Sequence, residues 1–209
     1  IQDLTDAELK GILNELFMDD TVDLIEEMPS NVVKKILKVV NAKDRKIINE
    51  LLQYPEDSAG SIMTTEFIDL KETMTVEQAL QRIRDIGIDS ETIYNCYVLN
   101  RNRVLLGMIN IKEILISKKE QIIKDLMTTN VISVNTLEDQ EDAAKIFDKY
   151  DLYAVPVVDN ENRLVGIITV DDAINVIQDE ASEDFEKMAA MSPNEKGYFE
   201  TSVFKHAKN

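Results

Sequence analysis

Ile62-Met63-Thr64-Thr65 and Leu126-Met127-Thr128-Thr129 open two copies of one module, 64 residues apart. At that offset Ile68 meets Ile132, Glu77 meets Glu141 and Ala79 meets Ala143. The first copy then carries a five-residue insertion, after which Val98 meets Val157, Gly107 meets Gly166 and Ile109 meets Ile168. A duplicated unit predicts two similar halves packed about a shared two-fold axis, because a copy of about 60 residues buries its apolar faces poorly alone. The charge is not duplicated with the scaffold. Residues 61–125 hold 10 acids and 9 bases, whereas residues 126–209 hold 17 and 7, so function is sought where the second copy departs from the first.

Working outward, each copy reads as β-α-β-β-α. Strands are predicted over residues 67–70 and 131–134, followed by helices over 76–85 and 140–149. Strands over 95–99 and 104–110, then 154–158 and 164–170, are joined by the polar turns Asn100-Arg101-Asn102-Arg103 and Asp159-Asn160-Glu161-Asn162. Helices over 111–117 and 171–179 close the units. Residues 1–57 read as short amphipathic helices. Thr5 and Glu8 form a capping box ahead of Leu9, Ile12 and Leu13; Asp20 or Thr21 caps a second helix; Pro29-Ser30-Asn31 precedes a third; residues 42–52 give a fourth. Pro55-Glu56-Asp57-Ser58-Ala59-Gly60 is a linker. The fold class is α+β: an all-α helical N-domain over 1–57, two β-α-β-β-α domains over 58–121 and 122–180, and a connecting helix over 181–209.

Composition narrows the function. Of 209 residues 44% are hydrophobic, enough for one good core and two or three small ones. No apolar run approaches the ~20 residues of a membrane span, and no leader is visible. The first residue is Ile1 rather than Met, and the expectation is a piece of a longer protein. A single cysteine, Cys96, lies in an apolar stretch, fits a reducing compartment and reads as core. His206, the only histidine, has no second ligand beside it and reads as surface. A net charge of −17 argues against nucleic acid and against anionic lipid, leaving cations, basic partners or plain solubility. Paired carboxylates also occur in glycoside hydrolases, but such sites are aromatic-lined and this chain is 6% aromatic with no Trp.

Several acids are spaced for a cation. Asp19 and Asp23 are one helical turn apart. Asp148 and Asp151 end the first helix of the second copy, with Asp139 and Glu141 near its start. Asp171 and Asp172 open the last helix, and Glu180, Glu183 and Asp184 form a stripe after it. Each has a plainer explanation. Asp171, Asp172 and Asp19 suit helix N-termini, where an anion gains ~0.3–1 kcal/mol. Asp148 and Asp151 have Lys145 and Lys149 beside them. Glu180, Glu183 and Asp184 read as lacking a neighbouring base, and like charges one turn apart cost ~0.2–0.5 kcal/mol a pair.

The repeated unit, with Met-Thr at its start and Gly166-Ile167-Ile168-Thr169-Val170-Asp171-Asp172 at its last helix, resembles a CBS domain, and two in tandem make a CBS pair. Tyr54-Pro55-Glu56-Asp57-Ser58-Ala59-Gly60-Ser61-Ile62-Met63-Thr64, with Glu91-Thr92-Ile93-Tyr94 and the acidic tail, resembles the cytosolic part of the MgtE family of magnesium transporters over essentially the whole chain. That resemblance implies an Mg²⁺-sensing regulatory region on the cytoplasmic face of the cell membrane. It implies a homodimer, a transmembrane pore absent from this chain, and a helix from near Gly197 that holds the pore shut. It further implies Mg²⁺ ligands at Asp19, Asp23, Asp139, Glu141, Asp151, Asp172, Glu180, Glu183 and Asp184, with Asp148 near one site. Asn175 stands where relatives can carry an acid, and Asp19 with Asp172 is the foremost pair. CBS pairs also bind adenine nucleotides, so ATP is the alternative ligand, with Thr169 and Asp172 meeting phosphate and ribose and Pro156 lining the cleft. In the first copy Asn110 and Glu113 replace that Thr and Asp, which leaves one cleft competent and makes the first copy the structural partner.

Overall fold

The computed structural model describes residues 4–188. Four helices come first: α1 (Asp6–Leu13), α2 (Met18–Glu26), α3 (Ser30–Val39) and α4 (Ala42–Leu51). The Thr5–Glu8 capping box opens α1 as expected, and Asn41 caps α4 through the amides of Lys43 and Asp44. Two three-stranded sheets follow. The first joins β1 (Ile68–Lys71), β2 (Asn95–Leu99) and β3 (Leu105–Asn110), with α5 (Val76–Ile86) and α6 (Ile111–Ile116). The second joins β4 (Val134–Asn135), β5 (Ala154–Val158) and β6 (Leu164–Thr169), with α8 (Gln140–Tyr150) and α9 (Val170–Met188). In each sheet the middle strand runs parallel to the first and antiparallel to the third. α7 (Ile123–Leu126), a single turn ahead of the second Met-Thr, is an element the periodicity did not announce.

β2 and β5 are buried at every residue, so helices cover one face of each sheet and the other sheet covers the opposite face. Phe67, Tyr97, Leu99 and Leu105 pack there against Ala154, Val158, Leu164 and Ile167. The first copy keeps an apolar cluster of its own, while the buried residues of α1 to α4 continue without a gap into those of the second copy. The helical segment is thus seated on the second copy.

Two differences from the expected elements have physical causes. β4 has two residues where β1 has four. Its ladder begins only at Val134 with Val157, because Pro156 in the central strand has no amide to donate where Tyr97 pairs with Asp69 in the first copy. The last helix runs unbroken from Val170 through position 180 to Met188, as nothing in Asp179-Glu180-Ala181-Ser182 stops a helix.

The Met-Thr openings cross over. Thr64 opens the first copy yet exchanges both backbone hydrogen bonds with Ile167 of the second, at 2.8 and 2.9 Å. Thr128 opens the second copy and does the same with Met108 of the first, at 2.9 and 2.8 Å. Ala59 and Gly60 of the linker also donate to Glu138 and Thr136 of the second copy. The linker and the opening of the first copy therefore lie against the second, immediately under α2.

A candidate cation site between the helical segment and the two copies

The N-cap of α2 falls three residues before the first of the predicted caps. Phe17 takes the N-cap position without a side-chain bond, and the amide of Met18 donates instead to a carboxylate oxygen of Glu66 at 2.8 Å. Asp20 and Thr21 are therefore not caps. Asp19 and Asp20 sit in the first turn, and Thr21 is buried with its hydroxyl unpartnered. A cleft of about 140 Å³ lies between this end of α2 and the first turns of α9. Asp19 and Asp23 line it from α2, Asp172, Asn175 and Asp179 from α9, and Gln140 from the start of α8. Asp19 and Asp172 thus line one cleft across the boundary between the helical segment and the second copy.

The electrostatics are those of crowded acids. Asp19 is 8% exposed, and its Oδ1 is buried with no hydrogen-bond partner. Burial, then the charge of Asp172, raise its pKa to about 7. Asp23, on the open rim, rises to about 6, through desolvation by the cleft wall and then the charges of Glu26, Asp20 and Asp172. Burial also raises Asp172, but the Thr169 hydroxyl and amide both donate to its Oδ2 and oppose the rise. The Thr169 bonds favour the ionised form of Asp172, whereas Asp19 Oδ1 has no donor to do the same.

The first copy is not merely structural. Glu91, in its insertion, has an oxygen buried without a partner, and its pKa rises to about 7 through burial and then the charges of Asp172, Asp171 and Asp20. Its amide donates to the carbonyl of Glu66, whose carboxylate holds α2. Residues from all three domains therefore converge on one acidic junction. Composition concealed this, because the first copy is nearly neutral overall; the only sequence signal was the Glu91-Thr92 stretch.

The other predicted ligands are dispersed. Asp139 caps α8 through the amides of Glu141 and Asp142, and Glu141 pairs with Lys145 at 3.0 Å. Asp148 and Asp151 lie exposed near the far end of this 11-residue helix, roughly 15 Å from its start at 1.5 Å per residue. Asp151 closes the helix in a left-handed conformation, φ 51°. Glu180 accepts from Gln140 Nε2 at 3.2 Å, which links it to the cleft. The reading of Glu180, Glu183 and Asp184 as a stripe without a base is corrected: Lys187, one turn beyond, pairs with Glu183 at 2.7 Å. Gly197, His206 and the predicted helix from Gly197 lie outside the described residues. Of the nucleotide set, Thr169 is bonded to Asp172, and Pro156 is buried within β5 opposite Ile167.

Every polar group in the cleft offers oxygen, and none is a thiol or imidazole, which suits a hard cation. Among the described residues no three Asp, Glu, His or Cys side chains converge to hold an ion directly. Mg²⁺ keeps several waters and uses one or two carboxylates, so the pair Asp19 and Asp172 with a hydrated ion fits, and the unpartnered Asp19 oxygen is what such an ion would satisfy. A chelating, ligand-rich site of the Ca²⁺ kind does not fit.

The profile described as "MgtE intracellular N domain" matches residues 1–57, and "CBS domain" matches residues 59–119 and 123–179. The magnesium transporter MgtE of Bacillus subtilis is 38% identical over 178 residues, covering 85% of this chain and 40% of the relative. That of Thermus thermophilus is 34% identical, covering 88% and 41%. The chain spans about two fifths of the length of these relatives. Among solved structures, the soluble part of a magnesium transporter superposes with a TM-score of 0.82 at 36% identity, covering 85% of this chain and 70% of that one. The cytosolic domain of the Mg²⁺ channel MgtE in complex with ATP superposes with a TM-score of 0.80 at 34% identity, covering 83% and 71%. The chain belongs to the MgtE family, as its N-domain and tandem CBS domains.

Proposed function

We propose that this chain is the Mg²⁺-sensing regulatory region of a magnesium transporter, acting in negative feedback on a membrane pore that lies outside it. The supporting observation is the buried, unpartnered Asp19 carboxylate facing Asp172 across the boundary between the helical segment and the second CBS domain. Two carboxylates ~4 Å apart repel by ~4 kcal/mol at an effective dielectric near 20, so without a cation the junction loosens. Mg²⁺ between them reverses the sign and favours the closed arrangement by its differential affinity alone. Taking a switch from 1:99 to 99:1 needs ~5.5 kcal/mol, which several weak sites can share. Asp139, Glu141, Asp148, Asp151, Glu180, Glu183 and Asp184 serve the weaker ones, toward the dimer mate and the exit from α9.

In this reading the region works as a homodimer on the cytoplasmic face of the membrane, and the chain after Met188 transmits closure to the pore. It has no catalytic role. Among the described residues no helix is long and apolar enough to cross a membrane, in keeping with a pore elsewhere. A second ligand is supported by the relative whose cytosolic domain was crystallised with ATP. Thr169 and Asp172 would then exchange their mutual hydrogen bond for phosphate and ribose.

Calorimetric titration of Mg²⁺ into this chain and into Asp172→Asn tests the reading. Cooperative millimolar binding that weakens at least tenfold in the variant supports it. Equal binding by both chains removes Asp172, and with it the interdomain site.

A further inference from the structure

At the other end of the first sheet from Asn110, the counterpart of Thr169, lies a cavity of about 470 Å³. Its walls are the ends of β1 and β2 and the turn carrying Arg101 and Arg103. Two acids border it, and both are already engaged: Asp69 with Arg82 at 2.6 Å and Glu72 with Lys124 at 3.1 Å. Lys71, Arg101 and Arg103 also face it, and none of the three forms an ion pair among the described residues. What sets these three bases apart is that they border one cavity on a chain of net charge −17.

The second copy supplies an internal control. By the repeat, Lys71, Arg101 and Arg103 correspond to Asn135, Asn160 and Asn162. There the same scaffold closes over itself, with Asn135 Nδ2 donating to Asn160 Oδ1 at 3.1 Å. The fold therefore does not need charge at these places. Arg103 and Asn162 both adopt the left-handed conformation, with φ 64° and 59°. Asn tolerates that conformation well and Arg poorly, and each side chain also reaches across to the facing copy, Arg103 to the Leu164 carbonyl and Asn162 to the Leu105 carbonyl.

We infer that this cavity binds a small phosphate-bearing anion. Arg101 and Arg103 offer forked donors suited to phosphate oxygens, and Lys71 adds a point charge. The volume falls in the range of small-ligand sites and exceeds what inorganic phosphate needs, which leaves room for an organic body. The site is separate from the acidic junction and from the Thr169 cleft, and it stands or falls independently of the Mg²⁺ reading.

Pyrophosphate, inorganic phosphate and ADP, each titrated without divalent ions into this chain and into Lys71→Gln/Arg101→Gln, provide the test. Arg103 is left intact because its guanidinium also donates to the Leu164 carbonyl at 3.2 Å. At least one probe is expected to bind, to shift the amide resonances of Leu70 and Leu99, and to bind at least tenfold more weakly to the double variant. A control, Lys46→Gln/Lys119→Gln, makes the same change in net charge elsewhere and is expected to keep full affinity. Tighter binding of ADP than of pyrophosphate identifies an organic phosphate; the reverse identifies a free one. Absence of binding to 10 mM, or equal weakening in the control, overturns the inference.

Discussion

Asp19 occupies a place that an ion-free fold gains nothing from filling with an acid. Between a pH of about 4 and about 7 its folded carboxyl holds a proton that the unfolded chain has already released. Stability must therefore fall as pH rises through this window. The full shift corresponds to about 4 kcal/mol, and sharing among coupled acids lowers this to about 2–4 kcal/mol. In EDTA, Asp19→Asn is expected to be more stable than the parent at pH 8 and about equal to it near pH 4, with a flatter slope between. Glu91 and Asp23 leave a residual slope. Thermal denaturation across pH measures this, and a parent-like slope in the variant would show that Asp19 is ordinarily solvated. The spacing of Asp19 and Asp23 was legible because both lie one turn apart on a helix. Glu91 was not: one acid in a balanced stretch carries no periodic signal, and only the folded chain brings it to Asp172.

At the scale of elements, the crossed Met-Thr openings explain the paired glycines. A side chain on Gly166 would meet the Thr64 carbonyl oxygen at 2.7 Å and Met63 Sδ at 2.6 Å; on Gly107 it would meet the Thr128 oxygen at 2.6 Å. Met63 can swing away, but a backbone oxygen held by a bridge cannot. Gly166→Ala is expected to cost about 1–3 kcal/mol in urea denaturation, and Gly107→Ala the same, since the two sites are related by the repeat. A loss under ~0.5 kcal/mol would mean that the openings are not seated as described. The sequence repeat, the strand pairs and the starts of α1 and α5 were readable from alternation, caps and turns, whereas the start of α2 was not, because Phe17 caps it without a side-chain bond. The crossing was not, because a segment of three or four residues can pair with either copy without changing its own pattern. The shortening of β4 was implicit in Pro156, whose missing amide matters only once its neighbour strand is known.

For the whole molecule, the asymmetry between the copies acquires a spatial meaning. The two sheets share an apolar interface, the helical segment continues the core of the second copy, and acids from all three domains meet where those contacts end. The second copy carries most of that acid, as its composition implied, but Glu66 and Glu91 make the first copy a participant. Apolar contact holds the domains near one another while the acids oppose full closure, which is the balance a cation can tip. Small-angle scattering of this chain during titration from EDTA to 20 mM Mg²⁺ tests that claim most directly. The account predicts a cooperative fall in the radius of gyration that is lost in Asp19→Asn/Asp172→Asn. A radius unchanged across the titration in the parent chain would contradict it.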